Sequence, residues 1–211
     1  MPTQLQRDLA AEFLEIGAIK FGQFRLKLHE KNPDAPLSPV YIDLRLIRSF
    51  PRAFQLTIAA YEELTRTIEC ELYADIPTAA TPLVGALAYK HARPMISPRL
   101  DQKTHGTRQK IEGAFRGGQV ALVIDDLITR ADSKFEAITA LENAGLLVRD
   151  VVVLVDREQG GVAELRKRGY ACHSALSLSS LLEFYRQAGL IATDDYSRTV
   201  AYLAASAAGS N

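Results

Sequence analysis

The stretch QVALVIDDLITRADS, residues 119–133, limits what this chain can fold into more than any other. Val120, Ala121, Leu122, Val123 and Ile124 form an unbroken apolar run rich in β-branched residues. A run this short and this apolar reads as a strand buried on both faces, as in a parallel sheet. It ends in two carboxylates, Asp125 and Asp126. A short hydroxyl-bearing loop follows, then an amphipathic helix with Phe135, Ala137, Ile138 and Leu141 on one side. Carboxylates at the carboxyl end of a central strand sit where open α/β sheets bind ligands. The loop and the helix N-terminus can offer backbone N–H groups to a phosphate. Together they suit a sugar phosphate, with its hydroxyls on the carboxylates and its phosphate on the loop. An Asp-Asp pair after a strand can also do no more than cap a turn or the next helix, so the flanking sequence has to decide.

Before this stretch, apolar spacing predicts a helix over residues 5–16, closed by Gly17. Alternation over residues 19–28 predicts a short hairpin, IKFG then FRLKL, with Lys27 projecting from its end. Residues 30–38, EKNPDAPLS, read as a surface loop. A strand over 41–44, a helix from Pro51 to about residue 68 and a parallel strand over 72–76 come next. PTAATP, residues 77–82, then leads into a helix over 83–91. Its small residues Thr78, Ala79 and Ala80 let a pyrophosphate approach backbone N–H groups, although a plain strand-to-helix turn would use the same residues.

A strand over 94–97 gives way to a long polar stretch, residues 99–118, that carries Arg99, Lys103, His105, Arg108, Lys110 and Arg116 among glycines. A loop of this length inside a compact domain is functional or disordered. Its composition suits either a flap closing over a polyanion or a solvated basic loop. After the central motif, a strand over 148–155, apolar without a break from Val151 to Val155, ends in DREQGG, residues 156–161. Arg157 there can grip a carboxylate through two parallel hydrogen bonds, or pair with Asp156 or Glu158. A helix over 162–168, a strand over 170–175 and helices over 178–187 and 194–205 complete the chain, with residues 204–211 expected to fray. His173, on an apolar strand, reads as structural.

Composition narrows the function classes. At 211 residues the chain is long enough for one domain with a proper core. Its formal net charge is zero, which gives no bulk attraction to nucleic acid or to an acidic membrane surface. No run is long enough to span a membrane and no basic-then-apolar leader opens the chain, so a cytoplasmic protein is expected. Cys70 and Cys172, far apart and on predicted strands, read as buried free thiols of a reducing compartment.

Taken together, the segments resemble type I phosphoribosyltransferases, and more narrowly the orotate phosphoribosyltransferase family. The matching pieces are EIGAIKFG (15–22), YIDLR (41–45), IPTAATP (76–82), SPR with KTHGT and IEG (97–113), VIDDLIT (123–129) and VVVLVDREQGG (151–161). They cover nearly the whole chain. DREQGG and the HG…IEG loop are the most family-specific, whereas the acidic pair is shared more widely.

The resemblance implies an α/β fold: a central, mostly parallel sheet flanked by helices, a small N-terminal hood and a long flexible catalytic loop. A single domain over 1–211 would divide into an N-terminal helix and hood (about 1–48), a core (about 49–190) and a C-terminal helix and tail (about 191–211). The implied reaction transfers phosphoribosyl from phosphoribosyl diphosphate (PRPP) to orotate. Asp125 and Asp126 would hold the ribose hydroxyls, and Thr129, Arg130, Ala131, Asp132 and Ser133 the 5′-phosphate. Thr78, Ala79 and Ala80 would meet the pyrophosphate, and Arg157, Lys27 and Thr129 the orotate. Lys103, Arg99 and His105 would stabilise the leaving diphosphate. Mg²⁺ would sit on ligand oxygens with no direct protein ligand. The flap would be shared across a homodimer, and a functional link to an orotidine-phosphate decarboxylase is implied.

The chain departs from the family pattern at two places. Leu100 stands where a lysine is usual, and Arg130-Ala131-Asp132 replaces a glycine-containing phosphate loop. Ala131 restricts φ, and Asp132 adds a negative charge that could cap the helix and fill the anion site itself. A relative that kept the fold but lost PRPP turnover is therefore the alternative.

Overall fold

The computed structural model describes residues 2–25, 28–99 and 111–208. Helix α1 (Gln4–Glu15) is followed by strand β1 (Ile19–Phe24), a single helical turn α2 (Leu28–Lys31), strand β2 (Ser38–Ile42) and a 3-10 helix (Leu44–Ser49). Helix α3 (Pro51–Thr65), strand β3 (Leu72–Asp75), helix α4 (Thr81–Lys90) and strands β4 (Met95–Pro98) and β5 (Ile111–Glu112) come next. Strand β6 (Val120–Ile128), helix α5 (Asp132–Asn143), strand β7 (Leu147–Asp156), helix α6 (Gly161–Lys167) and strand β8 (Ala171–Ser177) follow, with helices α7 (Leu178–Gln187) and α8 (Thr193–Ala208) last.

Six strands form the main sheet in the order β5-β4-β3-β6-β7-β8. All neighbours pair in parallel except β5, which runs antiparallel along β4. The apolar runs seen in the sequence are the central strands, and their side chains alternate between two cores. Leu122, Ile124, Val152 and Leu154 point to the face shared with Leu9, Phe13, Ile58, Tyr61 and Leu181. Ala121, Val123, Val151 and Val153 point to the face covered by Ile138, Leu141 and Leu165. Burying both faces explains why residues 120–124 and 151–155 are apolar without a break.

The chain steps from β3 outward to β4, then returns to place β6 on the other side of β3. The strand order therefore reverses between the parallel strands β3 and β6, and their carboxyl ends are the position at which α/β sheets take ligands in a crevice.

Several expectations need correction. The central strand does not end at Ile124. It continues through the acidic pair to Ile128 because β7 keeps pairing with it as far as Asp156. Strand β3 stops opposite Ile124, so Asp125 and Asp126 lie where β6 has lost one neighbour and kept the other. Of the hairpin expected over residues 19–28, the described residues show one strand only. Residues 19–24 make one strand that pairs with β2, and the pairing register slips between Phe21 and Phe24, around Gly22. The strand expected at 41–44 begins earlier, at Ser38, and gives way to the 3-10 helix. Part of the polar stretch 99–118 is the short strand β5. Cys70 precedes β3 instead of lying on a strand, and both thiols are only partly buried. The tail expected to fray from residue 204 is helical through Ala208. Among the described residues, no helix is long and apolar enough to cross a membrane.

Candidate active site

Two loops and a turn line the crevice. Residues 76–80 leave β3, tied to its neighbour by the Ile76 N–H donating to Ile124 O at 3.2 Å. The Pro77–Thr78 peptide is cis. Thr78 is exposed, Ala79 half-buried and Ala80 buried. Arg48 of the 3-10 helix donates to Thr78 O at 3.1 Å, and Asp75, fully buried, accepts from the Thr81 hydroxyl at the start of α4. Both ends of the loop are thus anchored.

Residues 129–131 join β6 to α5. Ala131 is buried and occupies the left-handed region, φ 69° and ψ 11°. The loop therefore takes the conformation that a glycine would favour, with an alanine in it. Asp132 does not cap the helix as expected. Ala131 is the N-cap, Asp132 is an exposed first-turn residue, and no side chain caps the first N–H groups of α5. Those donors stay open to an anion. Thr129 and Ser133 are half-buried beside them and Arg130 is exposed.

The DREQGG turn packs directly on this loop. The Gly161 N–H donates to Thr129 O at 2.8 Å. A β-carbon at Gly161 would stand 2.5 Å from that same oxygen, so the approach requires glycine. Asp156 accepts from the Glu158 N–H at 2.8 Å, and Glu158 accepts from the N–H and hydroxyl of Ser179 at 2.6 and 2.9 Å. Both acidic neighbours are therefore engaged elsewhere. Arg157 is buried at 6% exposure, and its Nε and Nη2 find no hydrogen-bond partner among the described residues. Burial pulls its pKa down, opposed by the nearby Tyr202 hydroxyl of α8. A buried, half-satisfied guanidinium is costly unless something arrives to pair with it.

The two carboxylates have separate surroundings. Asp125 is buried, and its Oδ2 accepts from Lys134 Nζ of α5 at 2.5 Å. Asp126 is half-buried, within electrostatic reach of Tyr61 of α3 and of Arg45. Burial first, and then the charge of Asp125, push its pKa up to about 7, while Lys134 and the Leu127 N–H pull the other way. Arg45, the last residue of YIDLR, is held in place by Asp43 at 2.6 and 2.8 Å. Tyr61 donates its hydroxyl to Asp125 O at 2.9 Å and so braces the strand from the opposite face.

The crevice therefore brings together Asp125, Asp126, Thr129 to Ser133 and Arg157. Arg99 is exposed at the far side of the sheet order, paired with Glu112 of β5 at 2.6 Å. Lys27, Lys103 and His105, with the Leu100 departure, lie outside the described residues. His173 bonds Asp150 across β7 and β8 at 2.7 Å, a contact within the sheet. Sequence reasoning missed Lys134, Arg45 and Arg48. Lys134 did leave a signal: it shares the helical face of Ala137, Ile138 and Leu141, all buried. A lysine on an apolar face needs a buried partner.

No family model matches the chain. The chain is 34% identical over 194 residues to the orotate phosphoribosyltransferase of Pyrobaculum islandicum, spanning 92% of this chain and 96% of that one. It is 36% identical over 189 residues to the bifunctional enzyme PyrF/PyrE of a Nostoc species, spanning 90% of this chain and 38% of that one. Its structure is similar to that of the UMP synthase of Leishmania donovani, with a TM-score of 0.84 and 32% identity, over 94% of this chain and 42% of that one. The chain thus spans about two-fifths of the length of these two larger relatives. The Pyrobaculum match covers nearly all of both chains: the chain belongs to the orotate phosphoribosyltransferase family.

Proposed function

We propose that the chain transfers the phosphoribosyl group of PRPP to orotate, giving orotidine 5′-monophosphate and pyrophosphate. The observation that carries this reading is Arg157. It is a buried guanidinium at the carboxyl end of β7 whose Nε and Nη2 have no partner among the described residues, while Asp156 and Glu158 are both engaged elsewhere. Orotate carries the carboxylate that a planar fork of donors fits, and the Pyrobaculum relative is named for that substrate.

The reaction forms a bond from orotate N1 to ribose C1′ as the C1′–oxygen bond to diphosphate breaks, with inversion at C1′. No protein nucleophile is required. The chain has to align two anions, exclude water and neutralise charge on the departing diphosphate. Asp125 and Asp126 would hold the ribose hydroxyls, Asp126 being the more exposed member. The open N–H groups at the start of α5, with Thr129 and Ser133, would take the 5′-phosphate, and residues 78–80 the diphosphate. Arg99, Lys103 and His105 would meet the leaving group, with Lys27 beside the orotate. Among the described residues, no three His, Cys, Asp or Glu side chains gather to hold a metal. Mg²⁺ would be held mainly by ligand oxygens and would neutralise charge on the diphosphate. We read residues 1–211 as one domain, working as a homodimer that shares the flap, with a functional link to an orotidine-phosphate decarboxylase.

The non-catalytic alternative rests on Leu100, which lies outside the described residues, and on Arg130-Ala131-Asp132. Ala131 reaches the left-handed conformation without a glycine, and Asp132 leaves the helix N–H groups open. Both observations favour turnover. The test is the fall in orotate absorbance on mixing the protein with PRPP and Mg²⁺, with Lys103→Ala as the inactive control. Folded protein that leaves orotate unchanged would sink the reading.

A further inference from the structure

Lys134 is in the wrong place for an ordinary lysine. It is the third residue of α5, 4% exposed, at the positive end of the helix dipole. That end disfavours cations. Its ammonium group has three donors, and three acceptors surround it: Asp125 Oδ2 and Leu127 O, both at 2.5 Å, and Ser133 Oγ at 3.5 Å. Asp125 is equally closed in, because its Oδ1 accepts from the Asp126 N–H at 2.9 Å. The ion pair therefore links α5, the phosphate-loop residue Ser133 and both members of the acidic pair. A packing role alone would be served by the apolar side chains that share its face, Ala137, Ile138 and Leu141.

We infer that Lys134 is a positioning residue for the acidic pair: by tying Asp125 to α5 it fixes the strand beneath Asp126 and offsets one of two adjacent negative charges, so that Asp126 meets the ribose hydroxyls as an anion. This role rests on the proposed transferase reading. The groups that face Asp126 are Asp125 on its own strand, Lys134 from α5, Tyr61 from α3 and Arg45 from the 3-10 helix. Cys172 of β8 lies within reach of Lys134 and of Asp156, and burial pushes its thiol up to about 11, so it carries no charge near neutral pH. Without Lys134, Arg45 is the one remaining cation among these groups, and it is already paired with Asp43.

The test compares wild type, Lys134→Met and the double variant Asp125→Asn/Lys134→Met, which leaves no unpaired buried charge. The first readout is the carboxyl ¹³C titration of Asp126 in ligand-free protein. Lys134→Met should move its midpoint up by about one pH unit or more, and the double variant should bring it back toward wild type. The second readout is kcat/KM for PRPP against pH. Its acid limb should move the same way, giving at least a tenfold loss at pH 6 that shrinks toward pH 9, with the KM for orotate little changed. An unmoved Asp126 titration, with activity lowered equally at all pH values, would overturn the inference in favour of packing alone. If Lys134→Met does not fold, the double variant decides: an Asp126 midpoint close to wild type supports charge compensation, and one far from it refutes it. A wild type that folds but does not turn over would defeat the transferase reading, while the ligand-free titration would still decide whether Lys134 governs Asp126.

Discussion

Helices α1 and α7 begin with complete capping boxes, whereas α4, α5 and α6 begin with no side-chain cap. In α1, Thr3 accepts from the Gln6 N–H at 3.2 Å and Gln6 accepts from the Thr3 N–H at 2.8 Å. Ser177 and Ser180 make the same reciprocal pair in α7, at 3.2 and 3.0 Å. A cap of this kind stabilises by about 1 kcal/mol. Helix α3 also lacks one and, like α4, has a proline in its first turn, Pro51 and Pro82 respectively, which removes a donor. The uncapped helices α4, α5 and α6 are the three that follow β3, β6 and β7, the strands around the crevice. Where the sequence has no ligand to receive, it closes its helix starts with hydroxyls and amides. At the carboxyl ends of β6 and β7 it leaves the starts of α5 and α6 without a side-chain cap, holds Ala131 in the left-handed region and buries an arginine whose Nε and Nη2 have no partner among the described residues. On the proposed reading the missing partners are the substrate's.

The largest test of this contrast is Arg157→Ala. Turnover of orotate should fall by about 10²–10³ in kcat/KM, as when one partner of a buried charge pair is removed. Thermal stability should hold or rise, since an uncompensated buried charge is removed. A protein that loses both would place Arg157 in the scaffold instead of the site.

The second test is Asp126. Its pKa in the fold is about 7, above the ordinary 3.8. The folded chain therefore binds this proton more tightly than the unfolded chain, and the ionisation of Asp126 weakens stability as pH rises from about 4 to 7. Asp126→Asn should be more stable than wild type at pH 8, with the difference fading toward pH 4, in urea melts at each pH. A difference that is constant with pH would show that the charge is not the cause.

Ser177→Ala, at a capped helix, should lower stability by about 1 kcal/mol and leave turnover intact. The smallest effect belongs to Ala131→Gly, which relieves φ 69°. It should raise stability by up to about 1 kcal/mol, the left-handed penalty less the extra freedom of the unfolded chain. Chemical denaturation would measure both. A loss of stability in Ala131→Gly would mean that the methyl group, buried against Ile128 and Ala137 in the α5 core, matters more than the backbone.

Much of this was legible in the sequence, for physical reasons that can be named. Parallel strands covered on both faces are apolar where they are covered, so residues 120–124 and 151–155 identified themselves. DREQGG and the acidic pair identified themselves because a tight turn and a carboxylate at a strand end tolerate few substitutes. The sequence could not say where β6 would end, because an aspartate inside a strand is unusual and only the continued ladder to β7 keeps it there. It could not separate the hood strand from a hairpin, because alternation is local and the partner β2 lies beyond the intervening residues. Above all, it left Arg157 with three possible partners. Only the tertiary structure turned Glu158 toward Ser179 and Asp156 toward the backbone, and set Lys134 against Asp125. Pattern is a property of neighbours along the chain. Which charge faces which is decided when the strands assemble, because the partners lie on different elements of the chain.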